Sequence, residues 1–128
     1  MYKRFFIGLA IFGLLSVLFA ACAIRDSSAS VAGPTVKMSG ADFIQKTVTV
    51  PKGQSLNLVD ITTSPHKIFN GTWANGTTAK PSKESGAPTV SLNFNGNDSG
   101  ATPPFTTAGT FQLYCSIHPG MNLAVTVK

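Results

Sequence analysis

Three side chains near the C-terminal end of the sequence offer donors that a metal could use. Cys115, His118 and Met121 follow one another at intervals of three residues, and they supply a thiolate, an imidazole and a thioether. The other histidine of the chain, His66, lies about fifty residues upstream. One thiolate and two imidazoles with a weak methionine ligand form the donor set of a blue-copper electron-transfer site. These four residues therefore predict one mononuclear type 1 copper site.

The use of cysteine supports this interpretation. The chain has two cysteines, and Cys22 lies at the end of an apolar N-terminal stretch that is typical of an export signal. Cys115 is then left without a disulfide partner in an oxidising compartment, where a free thiol is vulnerable. Coordination to a metal deprotonates a thiol and holds it, so a metal site would explain an unpaired Cys115.

Other chemistries fit the sequence less well. Zinc takes Cys and His but rarely a thioether, and no fourth Cys, His or nearby carboxylate is apparent. A cysteine hydrolase would have no use for Met121, a c-type haem needs a Cys-x-x-Cys-His motif, and a binuclear copper centre needs a second cysteine in the loop. A multicopper oxidase needs more histidines than two. We therefore expect an electron-transfer protein and not an enzyme.

The first 21 residues are predicted to be a signal peptide or membrane anchor. Lys3 and Arg4 provide a positive start, and residues 5–21 are apolar except for Ser16. Small residues then precede Cys22, as at an export cleavage site. An uncleaved anchor also stays open, because residues 5–24 are long enough to span a bilayer. Either outcome places the rest of the chain outside the cytoplasm.

The four residues 19–22 (FAAC) resemble a bacterial lipobox. Phe19 stands where a lipobox usually has Leu. The resemblance implies that Cys22 is acylated and becomes the mature N-terminus. This predicts a lipoprotein at the periplasmic face of a membrane, with ordinary cleavage to a soluble form as a further alternative.

Composition divides the remainder into a tether and one domain. Residues 22–33 are small and polar, which is typical of a flexible tether. Residues 34–128 are enough for one small domain with one core. The formal charge is +5, and it falls to +3 if Lys3 and Arg4 are removed by cleavage. The basic residues are scattered and not interleaved with aromatic residues, so we expect no nucleic-acid binding.

The domain has the pattern of an all-β fold. Short runs rich in Val, Thr, Ile and Phe alternate with Gly, Pro and Asn clusters. The segments 70–88 and 95–104 are predicted to be loops, the first with room for a short helix. Spacing and strand lengths suit a Greek-key β-sandwich. The predicted strands cover residues 35–38, 44–50, 54–61, 66–69, 90–94, 111–115 and 123–127.

The strand pattern suggests how the donors could meet. Alternation along the 111–115 strand points Phe111, Leu113 and Cys115 to the inside. His118 and Met121 follow on a tight loop, and His66 can come from a neighbouring strand. A rigid sandwich would hold these donors nearly fixed, so the two copper oxidation states would need little rearrangement.

Residues 105–121 (FTTAGTFQLYCSIHPGM) resemble the C-terminal signature of the cupredoxin family. In that family an aromatic-x-Gly-Thr-aromatic strand leads into Cys-x-x-His and then Met, and the spacing here is similar to that of amicyanins. Ser64-Pro65-His66 matches the upstream histidine of the family. The resemblance covers residues 34–128 and implies a cupredoxin-like sandwich of seven to eight strands. It also implies that His66, Cys115, His118 and Met121 are the copper ligands.

The resemblance further implies where electrons enter and leave. In the family the loop histidine lies near the surface, which corresponds to His118 with Pro119 and Gly120 around it. Tyr114, beside the ligand cysteine, resembles a residue that plastocyanins use as a second docking surface. One departure stands out: Lys67 follows the first histidine, where many relatives have an Asn that braces the cysteine loop. We therefore expect the hydrogen-bond partner of Ser116 to be missing or replaced.

Two roles suit such a site. The first is a monomeric one-electron carrier, tethered at the outer face of a membrane, whose partners are a cytochrome or a membrane electron-transfer complex. The alternative is an extracytoplasmic protein that stores or delivers copper. Copper delivery usually employs open sites rich in Met or His, and this domain has few of either. The donor set therefore favours the carrier over delivery, and over a metal-free adhesion domain.

Overall fold

A computed structural model describes residues 33–128 of the chain. The predicted signal peptide or anchor, the predicted lipid-attachment residue Cys22 and the tether up to residue 32 lie outside the described residues. Between residues 33 and 128 there is no helix long and apolar enough to cross a membrane.

The described chain is all-β, which confirms the predicted fold class. It has nine strands where seven to eight were expected, because short strands also form within the two segments predicted to be loops. The strands are β1 (Thr35–Met38), β2 (Thr47–Val50), β3 (Asn57–Asp60), β4 (His66–Ala74), β5 (Thr78–Pro81), β6 (Ser91–Phe94), β7 (Ser99–Ala101), β8 (Gly109–Cys115) and β9 (Asn122–Val127).

The strands form two sheets that pack around one core. The smaller sheet has the order β1-β3-β7, and the larger has the order β2-β9-β8-β4-β5, with β6 also paired to β4. Buried residues alternate with exposed residues in β1 and with partly buried residues in β9. Each sheet therefore turns one apolar face inward, and burial of those faces drives the packing. The core includes Val36, Met38, Leu58, Ile68, Leu113 and Leu123, all of which have no exposed surface.

The pairing of β4 with β8 places the two distant parts of the site side by side. Ile68 lies opposite Cys115 in this antiparallel pair. His66, two residues earlier on β4, therefore points to the same inner face as Ile68 and lies just beyond the end of β8. The sheet thus brings together residues that are far apart in sequence.

The first part of the 70–88 segment that was predicted as a loop is instead a β-hairpin, whereas residues 82–88 form no strand or helix. β4 continues to Ala74 and pairs with β5 in antiparallel register. Asn75 and Gly76 at the tip both have positive φ angles of 52° and 72°. Asn-Gly favours this left-handed conformation at hairpin turns, so the dipeptide was a hairpin signal that the loop interpretation overlooked.

Gly71 marks the point within β4 where pairing passes from β6 and β8 to β5. Its φ is 130°, and a Cβ there would lie 2.4 Å from the Lys80 backbone oxygen. Only glycine permits both that backbone conformation and that approach. The hairpin then lies against the edge of the predicted metal site.

Two other expectations need correction. Residues 44–46 are not part of β2, and Ile44 is exposed (56%) instead of facing inward. The 95–104 segment contains β7, which pairs with β3. Both differences involve short edge strands, β2 at the edge of the larger sheet and β7 at the edge of the smaller one, and sequence alternation specifies such strands weakly.

Candidate metal centre

Three of the four predicted ligands converge at one end of the sandwich. Donor atoms of His66, Cys115 and His118 all lie within 4.8 Å of one another. The Cys115 Sγ is 3.8 Å from His66 Nδ1 and 3.4 Å from His118 Nδ1. Both imidazoles thus turn the same ring nitrogen towards the thiol, which is the arrangement expected of three ligands around one ion.

Burial of these groups is uneven. His66 and Cys115 have no exposed surface, whereas His118 is half-buried. Cys115 is a free cysteine among the described residues. A buried free thiol with two imidazole nitrogens around it suits a soft metal ion, since the thiolate form needs a positive partner when it is removed from water.

Met121 closes the loop that carries two of these groups. Residues 115–121, here called the ligand loop, are held by backbone hydrogen bonds from Met121 N to His118 O (3.1 Å) and from Cys115 N to Met121 O (3.1 Å). The Met121 side chain is fully buried. The ligand loop therefore has backbone hydrogen bonds of its own that stabilise its shape.

Lys67 replaces the expected asparagine brace with its own backbone. Its carbonyl accepts a hydrogen bond from Ser116 N (2.8 Å), and its N–H lies 3.4 Å from Cys115 Sγ. The hydrogen-bond partner of Ser116 was expected to be missing or replaced, and it is replaced by the backbone carbonyl of Lys67. Donation of an N–H to a ligand sulfur is one of the contacts through which a protein tunes a metal site.

A buried carboxyl group lies behind His66. Asp60 Oδ1 is 3.8 Å from His66 Nε2, and neither side chain is exposed. Burial lowers the pKa of His66 below its usual value of 6.5, and the nearby His118 adds to this, while Asp60 and the backbone of Ser39 act in the opposite direction. The lowered pKa favours the neutral ring, which is the form of histidine that binds a metal ion.

Trp73 on the hairpin contacts the ligand loop from outside. Its Nε1 donates a 2.8 Å hydrogen bond to the carbonyl oxygen of Cys115. Asn122 holds the Trp73 backbone at both its N–H (2.7 Å) and its carbonyl (3.1 Å). The indole also meets the ring of Tyr114 edge to face, with centroids 6.1 Å apart.

This contact corrects the predicted role of Tyr114. Only 3% of Tyr114 is exposed, so it does not form an open docking surface. The half-buried Trp73 packs against it instead. A single tryptophan within a polar segment was the only sequence signal for this contact.

The exposed side of the site is formed by His118 and its neighbours. Ser64 Oγ lies 3.4 Å from His118 Nε2, within hydrogen-bond distance. Pro119 is exposed and Gly120 half-buried. The hairpin reaches this surface, because a Cβ on Gly120 would lie 3.6 Å from the backbone oxygen of Gly76.

A two-sheet β-domain with a Cys-His-His cluster, in which Cys115 and His66 are buried and His118 is half-buried, and with a loop that ends in Met, has the donor set of a type 1 copper site. The family model of copper binding proteins of the plastocyanin/azurin family matches residues 31–128. The chain belongs to this family, and its cofactor is copper. The donor set fits a type 1 site: two imidazoles, one thiol and a buried methionine.

Solved structures share the fold. A reduced Cu(I) form of an amicyanin variant at pH 4 has 19% sequence identity and a TM-score of 0.56, covering 86% of this chain and 90% of the amicyanin. Amicyanin from Paracoccus versutus has 20% identity and a TM-score of 0.55, with coverage of 80% and 86%. A copper-containing nitrite reductase from Thermus scotoductus SA-01 has 21% identity and a TM-score of 0.56, covering 73% of this chain and 22% of the reductase. No curated protein matches the sequence.

Proposed function

We propose that this protein is a one-electron carrier, tethered at the extracytoplasmic face of a membrane, and that it is not an enzyme. Copper in this site supplies reversible one-electron exchange between Cu(I) and Cu(II). The observation that carries the proposal is the pairing of a fully buried His66 and Cys115 with a half-buried His118. Such a site excludes water from the donors but leaves one imidazole edge within reach of a partner.

The chain's own residues keep this site from rearranging. Cys115 is fixed by β8, His66 by β4, and the ligand loop by its internal hydrogen bonds. Donors that do not move between oxidation states cost little reorganisation, and electron transfer is then fast. Preorganisation of this kind is less useful to a protein that must release its metal.

The surface formed by His118, Pro119 and Gly120 is the proposed contact for redox partners. A cytochrome or a membrane-bound electron-transfer complex would approach here. The side chain of Lys67, next to the ligand His66, is exposed. Its positive charge favours a partner with an acidic surface, mainly by increasing the association rate at low ionic strength.

The two cysteines allow the site and the tether to be tested separately. We expect full-length Cys115→Ser to lose the intense visible absorption of the Cu(II) protein and remain folded, because serine cannot supply the thiolate. The matched variant Cys22→Ser should keep the colour but leave the membrane fraction, if Cys22 carries the lipid. Absorption and EPR spectra, followed by cell fractionation, measure both effects.

Each result has a contrary outcome. If Cys115→Ser is as intensely coloured as the parent protein, the copper assignment at this cysteine is wrong. A Cys22→Ser protein that stays in the membrane fraction would contradict lipid attachment and favour an uncleaved anchor. If the parent protein releases copper on reduction by ascorbate instead of cycling, storage or delivery becomes the better interpretation.

A further inference from the structure

Asp60 is a buried acidic residue that the copper ligand set does not use. It is the last residue of β3 and continues the inward alternation of Leu56 and Leu58. Its side chain and that of His66 are both fully buried. Asp60 Oδ2 and His66 Nε2 are also two buried polar atoms that complete no hydrogen bond, although the backbone of Ser39 lies close enough to the His66 ring to act on its pKa. Burying such groups unpaired is costly, so their proximity calls for an explanation.

Only one of the two carboxyl oxygens of Asp60 accepts hydrogen bonds. Asp60 Oδ1 accepts hydrogen bonds from the backbone N–H and the hydroxyl of Thr62, each 3.0 Å long. The Asp60 backbone is also paired with that of Asp98 in both directions, at 2.8 and 3.2 Å. The backbone at Asp60 is therefore fixed, while Oδ2 keeps its full capacity to accept a hydrogen bond.

The tautomer of His66 follows from the orientation of its ring. Nδ1 faces the Cys115 sulfur, so Nδ1 is the nitrogen that would bind copper. A neutral imidazole that ligates through one nitrogen carries its proton on the other, which here is Nε2. Nε2 lies 3.8 Å from Asp60 Oδ1, so a movement of roughly 0.8 Å would complete a hydrogen bond between them. Metal-bound histidines commonly donate their second N–H to a carboxylate in this way.

We propose that Asp60 is a positioning residue for His66, and that its buried carboxylate accepts the Nε2–H and lowers the reduction potential of the copper. The inference rests on the copper site of the proposed function, though not on the identity of any partner. A negative charge behind the ligand favours the more positive Cu(II) over Cu(I). Because both groups are removed from water, the charge is weakly screened there.

The test compares two Asp→Asn variants. Asp60→Asn keeps the side-chain shape and removes the charge. Asp98→Asn removes the same charge from the neighbouring position, where the side chain is exposed. We expect Asp60→Asn to lower the ratio of Cu(II) to Cu(I) affinity by at least about tenfold, equivalent to a rise of about 59 mV for one electron. Asp98→Asn should change that ratio by less than about twofold, because solvent and salt screen it.

The reduction potential is measured by redox titration of the copper-loaded full chain, and the Cu(I) affinity by competition with a chelator. Equal shifts for Asp60→Asn and Asp98→Asn would overturn the proposal and leave Asp60 a structural residue. A parent protein without type 1 colour would instead refute the proposed function itself. The two failures are therefore distinguishable.

A second variant serves if Asp60→Asn does not fold. Thr62→Ala removes the hydroxyl that donates to Asp60 Oδ1 but keeps the backbone donor. The carboxylate then has less of its charge engaged by Thr62 and interacts more strongly with His66. We expect the potential to fall. A potential that stays constant or rises would contradict the inference.

Discussion

The hydrogen bond from the Trp73 indole to the Cys115 carbonyl (2.8 Å) links the β4–β5 hairpin directly to a copper ligand. Trp73→Phe removes this donor and preserves most of the aromatic contact with Tyr114. Trp73→Ala removes both. Because Asn122 holds the Trp73 backbone in all three proteins, the hairpin itself should stay in place. The pair of variants therefore separates the hydrogen bond from the packing.

The expected magnitudes follow from these contacts. Loss of a hydrogen bond of this kind costs about 1 kcal/mol net. An edge-to-face aromatic pair adds about 0.5–1.5 kcal/mol beyond its buried area, and truncation of a large aromatic in a core costs about 3–5 kcal/mol. Trp73 is only half-buried, so we expect its truncation to cost an amount of free energy near the lower end of the range of about 3–5 kcal/mol. Trp73→Phe should lower the free energy of unfolding by about 1 kcal/mol and Trp73→Ala by about 3 kcal/mol.

Urea unfolding of the metal-free protein measures these losses. The same variants should lose copper to a chelator faster than the parent protein. For Trp73→Phe the rate of copper loss should rise by up to about fivefold, which is the value expected if the whole of the lost 1 kcal/mol stabilised the closed ligand loop. A Trp73→Phe protein with parental stability and a parental rate of copper loss would refute the reasoning. It would mean that the Cys115 carbonyl bonds equally well to water.

Two further predictions concern the ligands themselves. Metal-free protein should lose stability as the pH falls below 6.5, by up to about 1.4 kcal/mol per pH unit from His66. The folded state keeps the pKa of His66 below its value in the unfolded chain, so the unfolded chain gains a proton first. Met121→Leu should keep the colour and raise the reduction potential, because a weak donor to Cu(II) is lost. Met38→Leu changes another fully buried methionine and should leave the reduction potential unchanged.

Controls make both results decisive. His66→Gln should flatten the acid side of the stability profile measured by urea unfolding at several pH values, and an unchanged slope would assign the effect to another group. For the methionines the readout is redox titration. A potential that falls in Met121→Leu, or that moves equally in Met38→Leu, would contradict an axial role for Met121.

The sequence predicted the cluster of donors because their chemistry is visible in residue type and spacing. Cys115, His118 and Met121 share one short loop, and only one other histidine was available to join them. The fold class followed from alternation and turn residues in the same way. These features are local, or nearly so, and a single sequence contains them.

The groups that surround the donors were not predicted, because their roles depend on pairing between distant strands. Asp60 did carry a signal: it is a charged residue at an inward position of an alternating strand. Nothing in the sequence identified His66 as its neighbour. Trp73 was assigned to a loop because the segment around it is rich in Gly, Asn, Thr, Lys and Pro, although its Asn75-Gly76 dipeptide favours a hairpin turn.

The position of β9 has a consequence for how the protein is made. β9 lies between β2 and β8 in the larger sheet and pairs in parallel with β2. During synthesis β2 is made early, but it can pair only after β9, which follows the ligand loop, has also been made. Until then β2 has an unpaired edge, and unpaired strand edges are prone to aggregation. The donors can therefore converge only after almost the whole domain has been synthesised. If the chain is exported as proposed above, the domain would then have to acquire its copper in the compartment where it folds.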